Sequence, residues 1–217
     1  IRHEYVDFYR FLFDSGTAQK LIGLGFSATN ISDIDVESFG LVLSHTRIPF
    51  VTYPAEWPSA LLKRAAIFIC ELELSLLELG YHLKDGHPWN MLFDGMQPVF
   101  VDWGSVETLK GEPAGCFMSE VIDWILFPLF LRSAGMNKLV HAFLLDPSCP
   151  PQSTREGSYL ASRPLSGRWF HRLFPTGTNH RSFNEWISPI VKQKTLRAQL
   201  REAIRVVGTL PLATAST

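Results

Sequence analysis

Only three cysteines occur in the 217 residues, Cys70, Cys116 and Cys149, widely spaced and without a Cys-x-x-Cys pair. An odd number so placed argues against a disulfide framework and suits free thiols in a reducing, cytoplasmic compartment. Long apolar runs are equally scarce. The most apolar, VIDWILFPLFL at 121–131, is too short and too interrupted to supply the ~20 apolar positions of a membrane helix. The opening IRHEYVDFYR holds neither a signal-peptide core nor an initiator Met. Neither export nor a membrane anchor is expected, and the chain reads as a fragment or a processed form. An excess of one charge is missing too: 20 basic against 21 acidic residues leave a formal net charge of −1. No global field recruits nucleic acid or an anionic membrane, so any phosphate site must be local.

What is present is apolar: 46% of the residues are hydrophobic and 19% charged, enough to bury one core. The spacing of Tyr5, Phe8, Phe11 and Leu12, then Leu21 and Leu24, predicts two short helices broken at Asp14-Ser15-Gly16. Leu41–His45 and Ile48–Tyr53 are β-prone and predict a small hairpin leading into the stiff connector YPAEWP. The clearest helix runs from Ser59 to a glycine stop at Gly80, with Leu62, Ala65, Ile69, Leu72, Leu76 and Leu79 on one face. Residues 119–133, 137–145 and 194–207 also read as helical, and 146–167 as loop. The expected division is a reduced N-terminal lobe and connector at 1–58, a helical lobe at 59–210, and a linker at 211–217 towards a missing domain.

The stretch LKDGHPWNMLFDGMQPVFVDWGS, residues 83–105, gathers Asp85, Asn90 and Asp102 around two strand-like runs, NMLF and VFVD, joined by DGMQP. Pairing Phe93 with Val99 puts Asn90 opposite Asp102, with Cβ atoms about 5 Å apart. A carboxylate and an amide so paired are hard oxygen ligands of the kind Mg²⁺ takes alongside water and phosphate. Asp85, on the loop that follows the long helix, would orient an attacking hydroxyl and take its proton, as phosphoryl transfer requires.

These residues carry a family resemblance. D-G-H-P-W-N followed by a hairpin and D-W-G resembles the catalytic loop and metal-binding triplet of the protein-kinase-like superfamily, with His87-Pro88 closer to the aminoglycoside and small-molecule kinases. The resemblance implies an α+β, protein-kinase-like fold dominated by its helical lobe, with a reduced N-terminal β portion. It further implies Asp85 as catalytic base, Asn90 and Asp102 as Mg²⁺ ligands, ATP as cofactor, and Gly104 permitting the turn after the metal ligand. The series HTRIPFVTYPAEWPSALLKRAA, LKDGHPWNMLF and QPVFVDWGSVE also resembles the kinase-like N-terminal region of bacterial nodulation proteins of the NoeA type. In those proteins a class I SAM-dependent methyltransferase domain follows. SAM would enter only through such an attached domain, since nothing after residue 105 resembles a glycine-rich SAM loop.

Two departures from an active kinase stand out. Gly23-Leu24-Gly25 is a lone Gly-x-Gly at a helix end, and Lys20 is the only lysine before Lys63. Lys84 is a candidate phosphate contact. Tyr53 and Glu56 belong either to a segment meeting an adenine ring or to a proline-stiffened connector with Trp57 in the core. His82 and His87 invite a zinc reading, but no further ligand completes a tetrahedral set, and His87 suits a structural hydrogen bond better. Trp124 reads as core. Arg163, Arg168, His171, Arg172, His180 and Arg181, interleaved with Trp169 and Phe170, suit a solvated face or a domain contact better than nucleic acid. Two functions remain open: a phosphotransferase acting on a small-molecule or sugar hydroxyl, and a non-catalytic kinase-like module supporting an attached methyltransferase. A pure interaction domain is a third.

Overall fold

The computed structural model describes residues 1–111, 116–146, 151 and 182–211. The basic stretch at 163–181 and most of the 146–167 loop lie outside the described residues. The chain mixes helices with small sheets. Two short helices come first, α1 (Val6–Asp14) and α2 (Thr17–Gly23), with Gly16 between them at φ 72° where the chain reverses. They are followed by the strands β1 (Thr29–Ile31) and β2 (Leu43–His45), which pair antiparallel. The expected 41–53 hairpin does not form. Only its first run is a strand, and its partner comes from upstream, while residues 48–53 form no strand and bend at Pro49 and Phe50.

The helix α3 (Ser59–Leu79) ends at Gly80, whose φ of 84° is the left-handed cap that glycine accepts without strain. Its apolar face buries Leu62, Ile69, Leu72 and Leu76 completely or nearly so. After it come β3 (Tyr81–Leu83), the hairpin strands β4 (Met91–Asp94) and β5 (Gln97–Phe100), and β6 (Val106–Thr108). Antiparallel pairs join β3 to β6 and β4 to β5, giving with β1–β2 three two-stranded sheets among the described residues.

A continuous helical stretch then runs through α4 (Cys116–Val121), a π-helical turn (Ile122–Leu126) and α5 (Phe127–Ser133). The remaining helices are α6 (Asn137–Leu145), α7 (Phe183–Val191) and α8 (Leu196–Gly208). Ser182 and Glu185 cap α7 reciprocally: the Ser182 hydroxyl accepts from Glu185 N–H at 3.2 Å and the Glu185 carboxylate accepts from Ser182 N–H at 2.8 Å. One hydrophobic cluster spans the molecule from Tyr9 to Leu210, with α3 at its centre against α8, α5 and the π turn. Side-chain donors tie the helix ends together: Lys63 Nζ reaches the carbonyls of Gly208 and Leu210 at 3.0 and 2.8 Å, and Arg197 reaches that of Leu77 at 2.7 Å. Trp124 is buried, as expected, with its ring edge-on to Trp89 at 4.9 Å. No helix among the described residues is long and apolar enough to cross a membrane.

Candidate functional site

The β4–β5 hairpin closes through two residues, Gly95 and Met96, rather than five. Glycine at the first turn position, φ 58°, fits the II′ geometry that matches strand twist. The shorter loop moves the register by one: Phe93 pairs with Pro98 and Leu92 with Val99. A shift of one residue changes every facing pair. Asn90 therefore stands opposite Val101, whose N–H donates to the Asn90 carbonyl at 2.9 Å, and not opposite Asp102.

Asp85, Asn90 and Asp102 are nonetheless brought to one seam. The β3–β6 ladder continues past its last strand pair, with Lys84 N–H donating to the Ser105 carbonyl at 2.9 Å. Asp85 N–H then donates to the Ser105 hydroxyl at 3.1 Å. With Asn90 bonded to Val101, the loop 84–90 lies alongside residues 101–105 at both of its ends. Asp102 opens the 3-10 turn Trp103–Ser105, and its Oδ1 accepts from Gly104 N–H at 2.9 Å. Gly104 lies in this turn without a positive φ. A Cβ there would stand 3.0 Å from Asp102 Oδ1, so the lack of a side chain lets the carboxylate approach.

Several residues that support this seam carry no motif signal. Glu120 on α4 accepts from Gly86 N–H at 2.7 Å, holding the loop immediately after Asp85. Burial pushes the Glu120 carboxyl up, while Gly86 N–H and His87 oppose the shift and the Asp85 charge adds to it. Gly86 is required by packing: a Cβ would meet the Phe117 carbonyl at 2.7 Å and Val121 at 2.9 Å. From the other side, Tyr9 donates its hydroxyl to the Trp103 carbonyl at 2.7 Å. Trp103 donates its indole N–H to Ser27 and stacks on Phe13 at 5.6 Å. Burial, then the nearby Asp102 charge, pushes the Tyr9 phenol up to about 12, so it stays a donor.

Of the remaining candidates, Lys84 and His87 belong to the same loop, and Tyr53 and Glu56 lie outside it. Lys84 is exposed, 3.5 Å from Glu107 and over the Tyr5 ring at 5.9 Å. Tyr53 and Glu56 lie on the connector, where Glu56 accepts from Tyr53 N–H at 2.8 Å and His141 bonds the Ala55 carbonyl at 3.0 Å. Trp57 is buried beside them against Phe93. His82 faces Glu107 at 3.8 Å, and His87 packs edge-on to Trp89 with its Nδ1 buried and unbonded, not as a hydrogen-bonder. Among the described residues no three His, Cys, Asp or Glu side chains gather as metal ligands.

The oxygen donors present suit a hard cation shared with phosphate. Asn90 is half-buried as a residue, and its amide Nδ2 is buried without a hydrogen-bond partner. Since amide N and O exchange by a flip, this side chain has capacity to spare. The Asp102 carboxylate uses one oxygen on Gly104 and makes no other hydrogen bond among the described residues.

No protein-family model matches the chain. It is 32% identical over 124 residues to the nodulation protein NoeA of Rhizobium meliloti (strain 1021), a match covering 57% of this chain and 25% of that protein. The 124 matched residues span a quarter of that nodulation protein's length, and over them the chain is similar to it.

Proposed function

We propose that this chain is a kinase-like domain that binds ATP with Mg²⁺ and transfers the γ-phosphate to the hydroxyl of a small molecule or sugar. The observation that carries the reading is the seam itself: backbone bonds at Ser105 and Val101 set the loop of Asp85 and Asn90 beside the turn of Asp102. In this reading Asn90 and Asp102 hold the metal, which when bound would neutralise the phosphate oxygens. Asp85 orients the acceptor hydroxyl and takes its proton. Glu120 and Ser105 act as positioning residues through the backbone of Gly86 and Asp85. A titration with ATP, with and without Mg²⁺, tests the reading on the wild type and Asp102→Ala. Mg²⁺-dependent binding that Asp102→Ala abolishes is expected, and Asp85→Ala should keep binding while turnover falls roughly 100-fold or more. Wild type that binds no nucleotide sinks the proposal.

A second reading draws on two facts: the match spans only a quarter of the nodulation protein, and no lysine other than Lys20 precedes Lys63. In it the domain is a non-catalytic support for an attached SAM-dependent methyltransferase. It predicts normal folding without ATP turnover.

A further inference from the structure

A cleft of about 700 Å³ lies between the N-terminal residues and the β3–β6 sheet, within the size range of small-molecule sites. Asp85, Asn90 and Asp102 do not line it, while Gly104, Lys84 and Tyr9 do, so it opens beside the seam described above. His82 on β3 and Lys84, one residue past its end, lie two positions apart, and both line the cleft.

The wall contributed by the N-terminal residues is aromatic. Tyr9 is 4% exposed and Tyr5 is 46% exposed, with Phe8 half-buried between them. The Phe8 and Tyr9 rings meet edge to face at 5.2 Å, and with the exposed Tyr5 ring they offer an angled aromatic wall. The opposite wall is basic. Lys84 and Lys110 there, with Arg2 from the N-terminal wall, make three cations to one carboxylate, Glu107, although the chain as a whole is slightly acidic. Glu107 already serves both Lys84 at 3.5 Å and His82 at 3.8 Å. Arg2 and Lys110 make no ion pair among the described residues. The local positive excess therefore has no internal counter-charge, and a cationic ligand would be repelled.

We infer that this cleft binds a small organic anion, its flat apolar body against Tyr5 and Phe8 and its carboxylate, sulfonate or phosphate on Lys84 and Lys110. Lys84 Nζ over the Tyr5 ring already joins the two halves of such a site, one supplying charge and the other surface. The inference goes beyond the phosphotransferase reading and needs neither nucleotide nor metal.

The test uses naphthalene-2-sulfonate, whose charge does not titrate, against its neutral counterpart 2-naphthol and against inorganic sulfate. Calorimetry on the full chain, without ATP or Mg²⁺, keeps the result separate from the nucleotide question. Naphthalene-2-sulfonate should bind roughly ten-fold or more tighter than either half-probe, as expected when charge and ring contacts act together. Lys84→Ala and Tyr5→Ala should each weaken it roughly five-fold. Both side chains are exposed, so the variants should keep the wild-type unfolding temperature. No binding, equal binding of 2-naphthol, or binding untouched in the Lys84→Ala, Tyr5→Ala double variant overturns the inference.

Discussion

Glu73 is the residue with most to say about pH. It is fully buried on α3, accepts from Leu83 N–H at 2.9 Å through one oxygen, and leaves the other without a partner. Burial pushes its carboxyl up to about 8, against the opposing pull of Leu83 N–H and Arg197. The folded state therefore holds a proton that the unfolded chain releases at an ordinary carboxyl pKa. Its contribution is fully present below that ordinary value and is lost as pH rises towards 8. Glu73→Gln should flatten this loss: its denaturation midpoint should gain on the wild type between pH 5 and pH 8, and an unchanged gap would refute the assignment. One turn away, burial pushes the Cys70 thiol up to about 12, with Glu71 and Glu73 adding to the effect. Cys70 should react with a thiol reagent only as fast as the fold opens, which peptide mapping of labelled protein would show. The sequence displayed Asp85, Asn90 and Asp102 because a shared motif fixes their spacing. Glu120 and Ser105 stayed hidden because they act on backbone N–H groups, and a partner 34 positions from Gly86 has no local signature.

At the scale of elements, the hairpin turn decides where the site residues stand. Gly95 at φ 58° allows the two-residue closure, and a Cβ there meets no atom, so only backbone strain opposes one. Gly95→Ala should cost about 1–2 kcal/mol, measured by urea denaturation, and a neutral result would mean the turn relaxes freely. Gly86→Ala should cost more than Gly95→Ala, because its Cβ would meet the Phe117 carbonyl. Long helices were legible. The leucine and isoleucine spacing marks Ser59–Leu79 to its glycine cap, and Asn137–Leu145 reads directly. Strands of three residues, such as Thr29–Ile31 and Val106–Thr108, are too short to display an alternation. The register of β4–β5 was misjudged because Asp-Gly marks a turn without counting its residues. Phe183–Val191 is masked by Pro189 in its interior, and its capping box at Ser182 and Glu185 was the available signal.

Across the whole molecule, the N-terminal helices and the seam are one mechanical unit. Ser27 N–H donates to the Phe100 carbonyl and Phe100 N–H to that of Gly25, which extends β5 by a short third neighbour. The Trp103 carbonyl, indole N–H and ring face are taken by Tyr9, Ser27 and Phe13 in turn. Free energy placed in the turn after Asp102 is therefore shared with α1. A ligand that grips Asp102 should slow amide hydrogen exchange in α1, and linkage makes the effect mutual. Loosening the helix with Phe13→Ala should lower the affinity of that ligand, which calorimetry on the variant would show. The affinity of this site would then serve as a gauge of how firmly a distant stretch of chain is docked.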